Sequence, residues 1–505
     1  MSTVRPEQVP GVTLRRLASD LGLGTDLPET PVTGIRLDSR QVQPGEVYVA
    51  LPGARTHGAR FASQVAQAGA LAILTDAEGA DLAAGVGIPL LVSARLRPDA
   101  AELSARIFGR PGEGLQLFGV TGTNGKTTTV ALLEAILSAG GCRVGTVGTL
   151  GFRLDGQLLE TDRSTVTTPD SPDLQGLLAR FREAGVDAVA LEVSSHAMAL
   201  SRVDALRFAV GAFLNLGRDH LDFHRDVADY FEAKAALFTT ERLDRAVVWV
   251  DDEHGREIAR RCVAQGLEVH TVGTTEAARY RLRDHTAVAP LGGCARLETP
   301  EGVTELRLAM PGWHNMVDAA VAFVMARCVG IPVSDILEGL ATAQVPGRMQ
   351  VLPLPETAPT VVVDFAHTPQ AVTATLEALQ GFPEVITVIG CGGDRDAVKR
   401  PLMGQAAARL SDLLVVTDDN PRTEDPAAIR SQMLSGSEDG RARVVEMPGR
   451  RHAIEFALRV AGGGSVVAIL GKGHERGQQI GDQVLPFDDA VVAQDAWHQM
   501  EGRDR

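Results

Sequence analysis

Short apolar runs alternate with helical periodicity along the chain. Between Met1 and about Arg110, the runs Glu46–Leu51, Leu71–Leu74 and Pro89–Val92 predict strands, and Phe61–Ala68 carries a helical pattern. Gly109-Arg110-Pro111-Gly112 then reads as a linker. The run Leu115–Val120 leads through a glycine-rich turn into a helix with Val130, Leu133, Ile136 and Leu137 near one face, ended by Gly140-Gly141. Ala188–Val193, Phe208–Leu214 and Ala246–Val250 alternate with helical stretches, the signature of βαβ units on a mostly parallel sheet. Ala295–Glu298 and Thr304–Met310 flank Pro300-Glu301-Gly302 as a hairpin, and a helix follows from about Asn315 to Cys328. From Pro346-Gly347-Arg348 onward, Thr360–Phe365, Val385–Ile389, Leu413–Thr417 and Val466–Leu470 alternate with helices, which predicts a doubly wound α/β domain. The expected fold is α/β in three domains: a smaller N-terminal α/β domain (1–110), a central P-loop-type, mostly parallel sheet (111–345) and a C-terminal Rossmann-like domain (346–505).

Composition agrees with three domains, since 505 residues at about 150 per domain give roughly that number. A net charge of −15 argues against a general nucleic-acid or anionic-membrane binder. No apolar run is long enough to span a bilayer, and Met1 to Gly24 lacks a signal-peptide core. The five cysteines are scattered without CxxC spacing, so a reducing cytoplasm is expected. Only four of the 49 basic residues are lysines: Lys126, Lys234, Lys399 and Lys472. In a chain whose default cation is arginine, each lysine hints that an ammonium or a titratable amine is needed. Codon bias is the competing reading, but all four fall within motifs.

Gly122-Thr123-Asn124-Gly125-Lys126-Thr127-Thr128 sits between a predicted strand and a predicted helix. There, glycines let backbone N–H groups approach phosphate oxygens, and the helix N-terminus adds positive potential. Lys126 would meet the β/γ phosphates and the Thr127 hydroxyl a magnesium ion. The alternative is a plain glycine turn with a solvated lysine.

With this loop the chain resembles the Mur ligases, ATP-dependent enzymes that build the peptidoglycan stem peptide. The resemblance rests on motifs in order: Leu37-Asp38-Ser39-Arg40 with Gly45 and Gly53, Gly122–Thr128, Thr167-Thr168-Pro169, Glu192-Val193-Ser194-Ser195-His196 and Asn215 through His224. Downstream follow Pro346-Gly347-Arg348, Asp364-Phe365-Ala366-His367, Gly390–Arg400, Asp419-Asn420-Pro421-Arg422 and Gly471–Glu475. Within the family it looks most like the member adding the third residue of the stem. That implies a role in cell-wall biogenesis, and so in cell shape and division.

The resemblance implies a ligation. ATP phosphorylates a substrate carboxylate, an amine attacks the acyl phosphate, and phosphate leaves. The residues it implies as catalytic are Lys126, Glu192, His220 and Lys234, with Thr127, Glu192, His220 and Lys234 toward Mg²⁺. The match of Lys234 in the family is N-carbamylated (N6-carboxylysine). A neutral amine takes up CO₂ and becomes an anion, which requires desolvation or nearby cations. ATP contacts are implied at Gly122–Thr128, Asn315, Arg348 and Asp364. Arg348 and Asp364 reach ATP from the third block, so closure of that domain would complete the site. The UDP-muramyl dipeptide is implied at Leu37, Ser39, Ala54, Arg55, Thr56, Thr167, Thr168, Ser194 and Arg202. The incoming diamino acid is implied at Arg395, Asp419, Asn420, Pro421, Arg422, Gly471 and Glu475. Departures from the family pattern are Val166 and Leu200, and Trp313-His314-Asn315 followed by Asp318.

The Asp-Asn-Pro-Arg motif accompanies meso-diaminopimelate in the family, its arginine gripping the distal carboxylate. A planar guanidinium fits a carboxylate with two parallel hydrogen bonds, whereas L-lysine and L-ornithine lack that group. Those two amino acids are the alternatives within the same reaction. Folylpolyglutamate synthase shares the phosphate loop but gives no reason for the Leu37–Arg40 module. A P-loop kinase, a nucleotide switch or a non-catalytic regulator would need no amino acid. A monomer is expected.

Overall fold

Alternation within each strand decides which way its residues face, and two layers of helix follow from it. The computed structural model describes residues 5–24, 26–53, 56–159, 167–217, 219, 223–288, 291–355 and 357–503. The chain folds as two compact units, Met1–Arg281 with Val321–Gly339, and Leu282–Ala320 with Leu340–Arg505.

The first unit opens with a four-stranded parallel sheet, β1 (Gly34–Arg36), β2 (Glu46–Val49), β3 (Ala72–Thr75) and β4 (Leu90–Val92), paired in chain order. A second sheet is built on β5 (Gln116–Thr121). Its companions are β6 (Val144–Gly148), β7 (Gly151–Leu154), β8 (Gln157–Leu158), β9 (Ala188–Glu192), β10 (Phe208–Phe213), β11 (Leu243–Trp249) and β12 (Glu268–Gly273). Within this unit the order is β12-β11-β10-β5-β9-β6-β7-β8, and only β7 runs antiparallel, to both β6 and β8. Both neighbours of β5 come from later in the chain, so it is central and buried on both faces. Leu117, Val189, Leu191 and Val248 face Leu174, Leu177, Phe181 and Ile258 from helices on one side. Helix Lys126–Ala139 packs over β5, β6 and β9.

In the second unit, β13 (Tyr280–Val288), which begins in the first, is followed by the hairpin β14 (Gly292–Thr299) and β15 (Gly302–Leu308). A six-stranded sheet follows: β16 (Gln350–Val351), β17 (Thr360–Asp364), β18 (Val385–Ile389), β19 (Leu413–Val416), β20 (Arg443–Glu446) and β21 (Val466–Leu470). Its order is β16-β17-β21-β18-β19-β20, all parallel except the short edge strand β16. Val362, Leu414, Val416, Ala468 and Leu470 face Leu376, Met403 and Met433 on one side. The alternate positions Val361, Val363, Ile386, Val388, Val415 and Ile469 face Ile454, Leu458 and Val492 on the other. This is the expected doubly wound arrangement, and it puts the loops after β17, β18, β19 and β21 at the carboxyl ends of the strands, where ligands bind in such sheets. A two-stranded hairpin, β22 (Gly477–Ile480) and β23 (Gln483–Pro486), was not anticipated from sequence.

Among the described residues no helix is long and apolar enough to cross a membrane. All five cysteines are free thiols.

Candidate active site

β5 ends at Thr121 and its helix starts at Lys126, so residues 122–125 make the whole turn. Gly125 caps the helix with φ +88, a left-handed conformation that suits glycine. The segment after β10 holds the turn from the side. Asn124 donates its N–H to Asn215 Oδ1 at 2.9 Å, and Asn215 Nδ2 donates back to Asn124 O at 3.1 Å. Thr123 Oγ1 accepts from Gly217 N at 2.8 Å and lies 3.0 Å from the Tyr230 hydroxyl. A helix N-terminus of this kind, with its positive potential, is suited to a phosphate.

Two lysines converge on one carbonyl. Lys126 Nζ donates to Gly122 O at 2.8 Å and to Thr123 O at 2.9 Å. Lys234, from helix Val227–Ala235, also donates to Gly122 O at 2.8 Å, and its ammonium lies 4.5 Å from the centre of the Tyr230 ring. The Lys234 side chain is 1% exposed. Burial, and then the charge of Lys126, push its pKa well below the ordinary lysine value, while Asp219 acts in the opposite direction. The environment thus favours the neutral amine, the form that can add CO₂.

Glu192 stands at the end of β9, in register with Val120 of β5. Its carboxylate is buried, accepting from Thr149 N (2.7 Å) and Thr149 Oγ1 (3.0 Å). No lysine or arginine pairs with it among the described residues. A buried carboxylate without a cation is costly, and it lines the same small cavity as Thr127. Two oxygen donors of this kind fit a hard divalent cation. His220, the third residue expected toward the metal, lies outside the described residues.

Thr168, Ser194 and Arg202 meet beside Glu192. Thr168 Oγ1 donates to Glu192 O at 2.7 Å and accepts from Ser194 N at 3.2 Å. Arg202 donates to Thr168 O at 2.7 Å and pairs with Asp170 at 3.0 Å. Ser194 Oγ accepts from Ala197 N, capping a short helix, so its hydroxyl also has a structural task. Thr167 Oγ1 lies 3.3 Å from Thr149 Oγ1. In the N-terminal sheet, Leu37 is partly buried and Ser39 opens a 3₁₀ turn capped by Asp38, which also grips Arg40. Thr56 is exposed, with its carbonyl accepting from Gly53 N. Ala54 and Arg55 lie outside the described residues.

The second unit brings its own motifs together. The Arg348 guanidinium sits over the Phe365 ring at 4.6 Å, and the His367 and His474 rings approach that ring at 4.6 and 5.1 Å. Gly347 has φ +65, and a Cβ there would lie 2.1 Å from His474 N, so only glycine lets these two loops meet. The Asp364 carboxylate accepts from Met349 N, Ala366 N and Thr375 Oγ1, so it organises both loops. Asn315 is buried and donates Nδ2 to Pro311 O.

The expected amino-acid residues lie on three loops at the carboxyl ends of β18, β19 and β21. Arg422 Nη1 donates to Gly393 O at 2.6 Å. Asn420 Nδ2 donates to Glu475 Oε2 at 2.8 Å. The Asp419 carboxylate approaches Gly471 so closely that a Cβ there would lie 2.8 Å from Oδ2. Pro421 joins Asn420 to Arg422 and packs against Gly393, where a Cβ would lie 2.0 Å from Pro421 O. Arg395 is exposed, on a loop fixed by Asp394 accepting from Thr423 Oγ1 and by Arg400 gripping Glu424.

Sequence reasoning missed Thr149, Tyr230 and the β22–β23 hairpin. Thr149 stands in no recognisable motif. Tyr230 had a cue, since it lies four residues before Lys234 on the same helical face.

Three family descriptions match the chain: Mur ligase family, catalytic domain, over residues 31–106; Mur ligase middle domain over 120–326; and Mur ligase, glutamate ligase domain, over 347–473. A curated relative from Streptomyces avermitilis, UDP-N-acetylmuramoyl-L-alanyl-D-glutamate–2,6-diaminopimelate ligase, is 42% identical over 513 residues, covering 99% of each chain. A solved structure described by the same name matches with TM-score 0.70 and 30% identity, covering 97% of this chain and 99% of that one. A MurF ligase from Thermotoga maritima, solved with ADP, shares the fold at TM-score 0.62 and 18% identity, over 93% of this chain and 97% of that one.

Proposed function

The chain belongs to the Mur ligase family, and on that premise we propose that it is an ATP-dependent ligase joining 2,6-diaminopimelate to UDP-N-acetylmuramoyl-L-alanyl-D-glutamate, in the cytoplasm, for peptidoglycan synthesis. The reading is carried by the paired lysines on Gly122 O, together with the buried Glu192 carboxylate that lines one cavity with Thr127. The full-length likeness to a ligase of that name supports the substrates.

A carboxylate is a poor electrophile because its leaving group would be oxide. Phosphorylation supplies a better one, but it brings two anions together. Cations therefore have to be placed in advance. Lys126 is one of them. Its ammonium now rests on the carbonyls of Gly122 and Thr123, and phosphate oxygens would take their place. The N–H groups at the start of helix Lys126–Ala139 would bind the same phosphates.

Thr127, Glu192, His220 and a carbamylated Lys234 would hold Mg²⁺, which supplies charge neutralisation for the crowded phosphates. Lys234, pushed toward its neutral amine, would take up CO₂ and change its charge from positive to negative. Thr149 would keep the Glu192 carboxylate in one orientation. Residues 1–110 would take the uridine end of the nucleotide substrate, 111–345 the ATP, and 346–505 the amino acid. Thr167, Thr168, Ser194 and Arg202 would meet the muramyl dipeptide. Asn315, Arg348 and Asp364 would contribute to ATP binding.

Arg422 would grip the distal carboxylate of meso-diaminopimelate, and Glu475 an amine. Supplying the purified chain separately with meso-diaminopimelate, L-lysine and L-ornithine, alongside ATP, Mg²⁺ and the UDP-muramyl dipeptide, tests the choice. Product with meso-diaminopimelate in clear excess is expected. Preference for either diamine lacking the second carboxylate overturns it.

A further inference from the structure

Lys472 has no accessible surface, its side chain being 0% exposed. A fully buried ammonium is rare and is tolerated only when its protons are satisfied. Lys472 Nζ has three protons, and three acceptors surround it: Asn420 Oδ1 at 3.1 Å, Glu475 Oε2 at 2.9 Å and Gly477 O at 2.7 Å. These acceptors belong to separate pieces. Asn420 lies in the turn after β19, Glu475 in the loop after β21, and Gly477 at the start of β22.

The cluster closes on itself. Glu475 Oε2 also accepts from Asn420 Nδ2 at 2.8 Å, and Asn420 Oδ1 also accepts from Gln479 N at 2.9 Å. β22 then pairs with the arginine turn: Arg422 N donates to Gln479 O at 3.1 Å, and Gly481 N to Arg422 O at 2.7 Å. Gln478 Nε2 adds a bond to Asp419 O at 2.7 Å. Arg422 holds φ +52 there, a conformation that needs such support. On Glu475, both side-chain bonds fall on Oε2 and neither uses Oε1, although the side chain is 34% exposed.

Resting on the assignment of this pocket to the diamino acid, we propose that Lys472 is a positioning residue for that substrate. By fixing Oε2 it presents Oε1 of Glu475 to the incoming ammonium. Through Asn420 and Gly477 it holds the Arg422 turn in register with that oxygen. One buried cation thus sets the spacing between the group that reads an amine and the group that reads a carboxylate. Geometry of this kind discriminates by length as well as by charge.

The test uses full-length Lys472→Met and Lys472→Arg variants. Thermal unfolding is measured together with KM for meso-diaminopimelate, ATP and the UDP-muramyl dipeptide. Methionine keeps the bulk and removes the donors; arginine keeps the charge on a longer, forked head. Both variants are expected to fold and to raise the meso-diaminopimelate KM by about tenfold or more, with the other two KM values within about twofold. An unchanged meso-diaminopimelate KM, an equal rise in all three, or failure of both variants to fold makes Lys472 merely structural and overturns the proposal. A wild-type chain that makes no product with meso-diaminopimelate contradicts the substrate assignment itself and takes the proposal with it. An active wild type with unaffected variants removes the role of Lys472 alone.

Discussion

Lys234 Nζ and Gly122 O are 2.8 Å apart across 112 residues of sequence, and the same carbonyl accepts from Lys126 at 2.8 Å. The lysine that opens the helix after the glycine-rich turn and a buried lysine of another helix are thus held at one point. Their repulsion and the burial of Lys234 act in the same direction on its proton. If that amine works as a carbamate, charge alone cannot replace it. Lys234→Arg is expected to lower kcat by about 100-fold or more while the protein still folds. Steady-state turnover with thermal unfolding as control checks this, and near-normal turnover removes the carbamate.

The same lysine gives a pH dependence with a definite sign. Its folded pKa lies well below the ordinary 10.5, so the folded state releases a proton that the unfolded chain keeps. Between the two values stability rises with pH, because the cost of burying the charged form is progressively relieved. Below the folded value the amine is protonated and cannot add CO₂. Activity is expected to fall as pH drops through that folded value, where protonation competes with CO₂ for the amine, and added bicarbonate should restore part of it by mass action. A turnover profile indifferent to CO₂ removal would contradict this.

Gly148 tests the orientation of Glu192. Its φ is ordinary, yet an added Cβ would lie 2.3 Å from Glu192 Oε1. Gly148→Ala is therefore expected to displace the carboxylate without straining the backbone. Apparent Mg²⁺ affinity should weaken by about 10- to 100-fold, read from metal titrations of turnover. An unchanged titration would mean that Glu192 does not serve the metal.

Gly392 offers a similar test of the arginine clamp. An alanine there would bring its Cβ within 2.9 Å of Arg422 Nη1, the mobile end of a side chain rather than backbone. Gly392→Ala should leave the unfolding temperature nearly unchanged and raise KM for meso-diaminopimelate by about tenfold. An unaltered KM would show that Arg422 does not read the distal carboxylate.

Much of this architecture is legible in the residues, and what escaped has physical reasons. The strand–loop–helix around Gly122–Thr128 was readable because apolar run, glycines and helical face fall in immediate succession. The strands Val385–Ile389 and Val466–Leu470 were readable because burial on both faces makes them continuously apolar. β22 and β23 carry Gln478, Gln479 and Gln483 and expose Val484, so they lack both apolar runs and a clean alternation. They exist because they pair with each other and because β22 pairs with the Arg422 turn. Thr149 acts through one N–H and one hydroxyl, which any loop threonine possesses. Lysine scarcity pointed to all four lysines alike, and two of them, Lys234 and Lys472, are buried while Lys126 and Lys399 are partly exposed. Sequence could not reveal that Lys472 has its three acceptors already in place.

Release of phosphate from ATP by the purified chain, in Mg²⁺ and with each co-substrate omitted in turn, tests the central claim most directly. The account predicts release only when the UDP-muramyl dipeptide and meso-diaminopimelate are both present, with one phosphate per peptide bond formed. Release that proceeds at the same rate without either of them would make this a nucleotide hydrolase or switch and contradict the account.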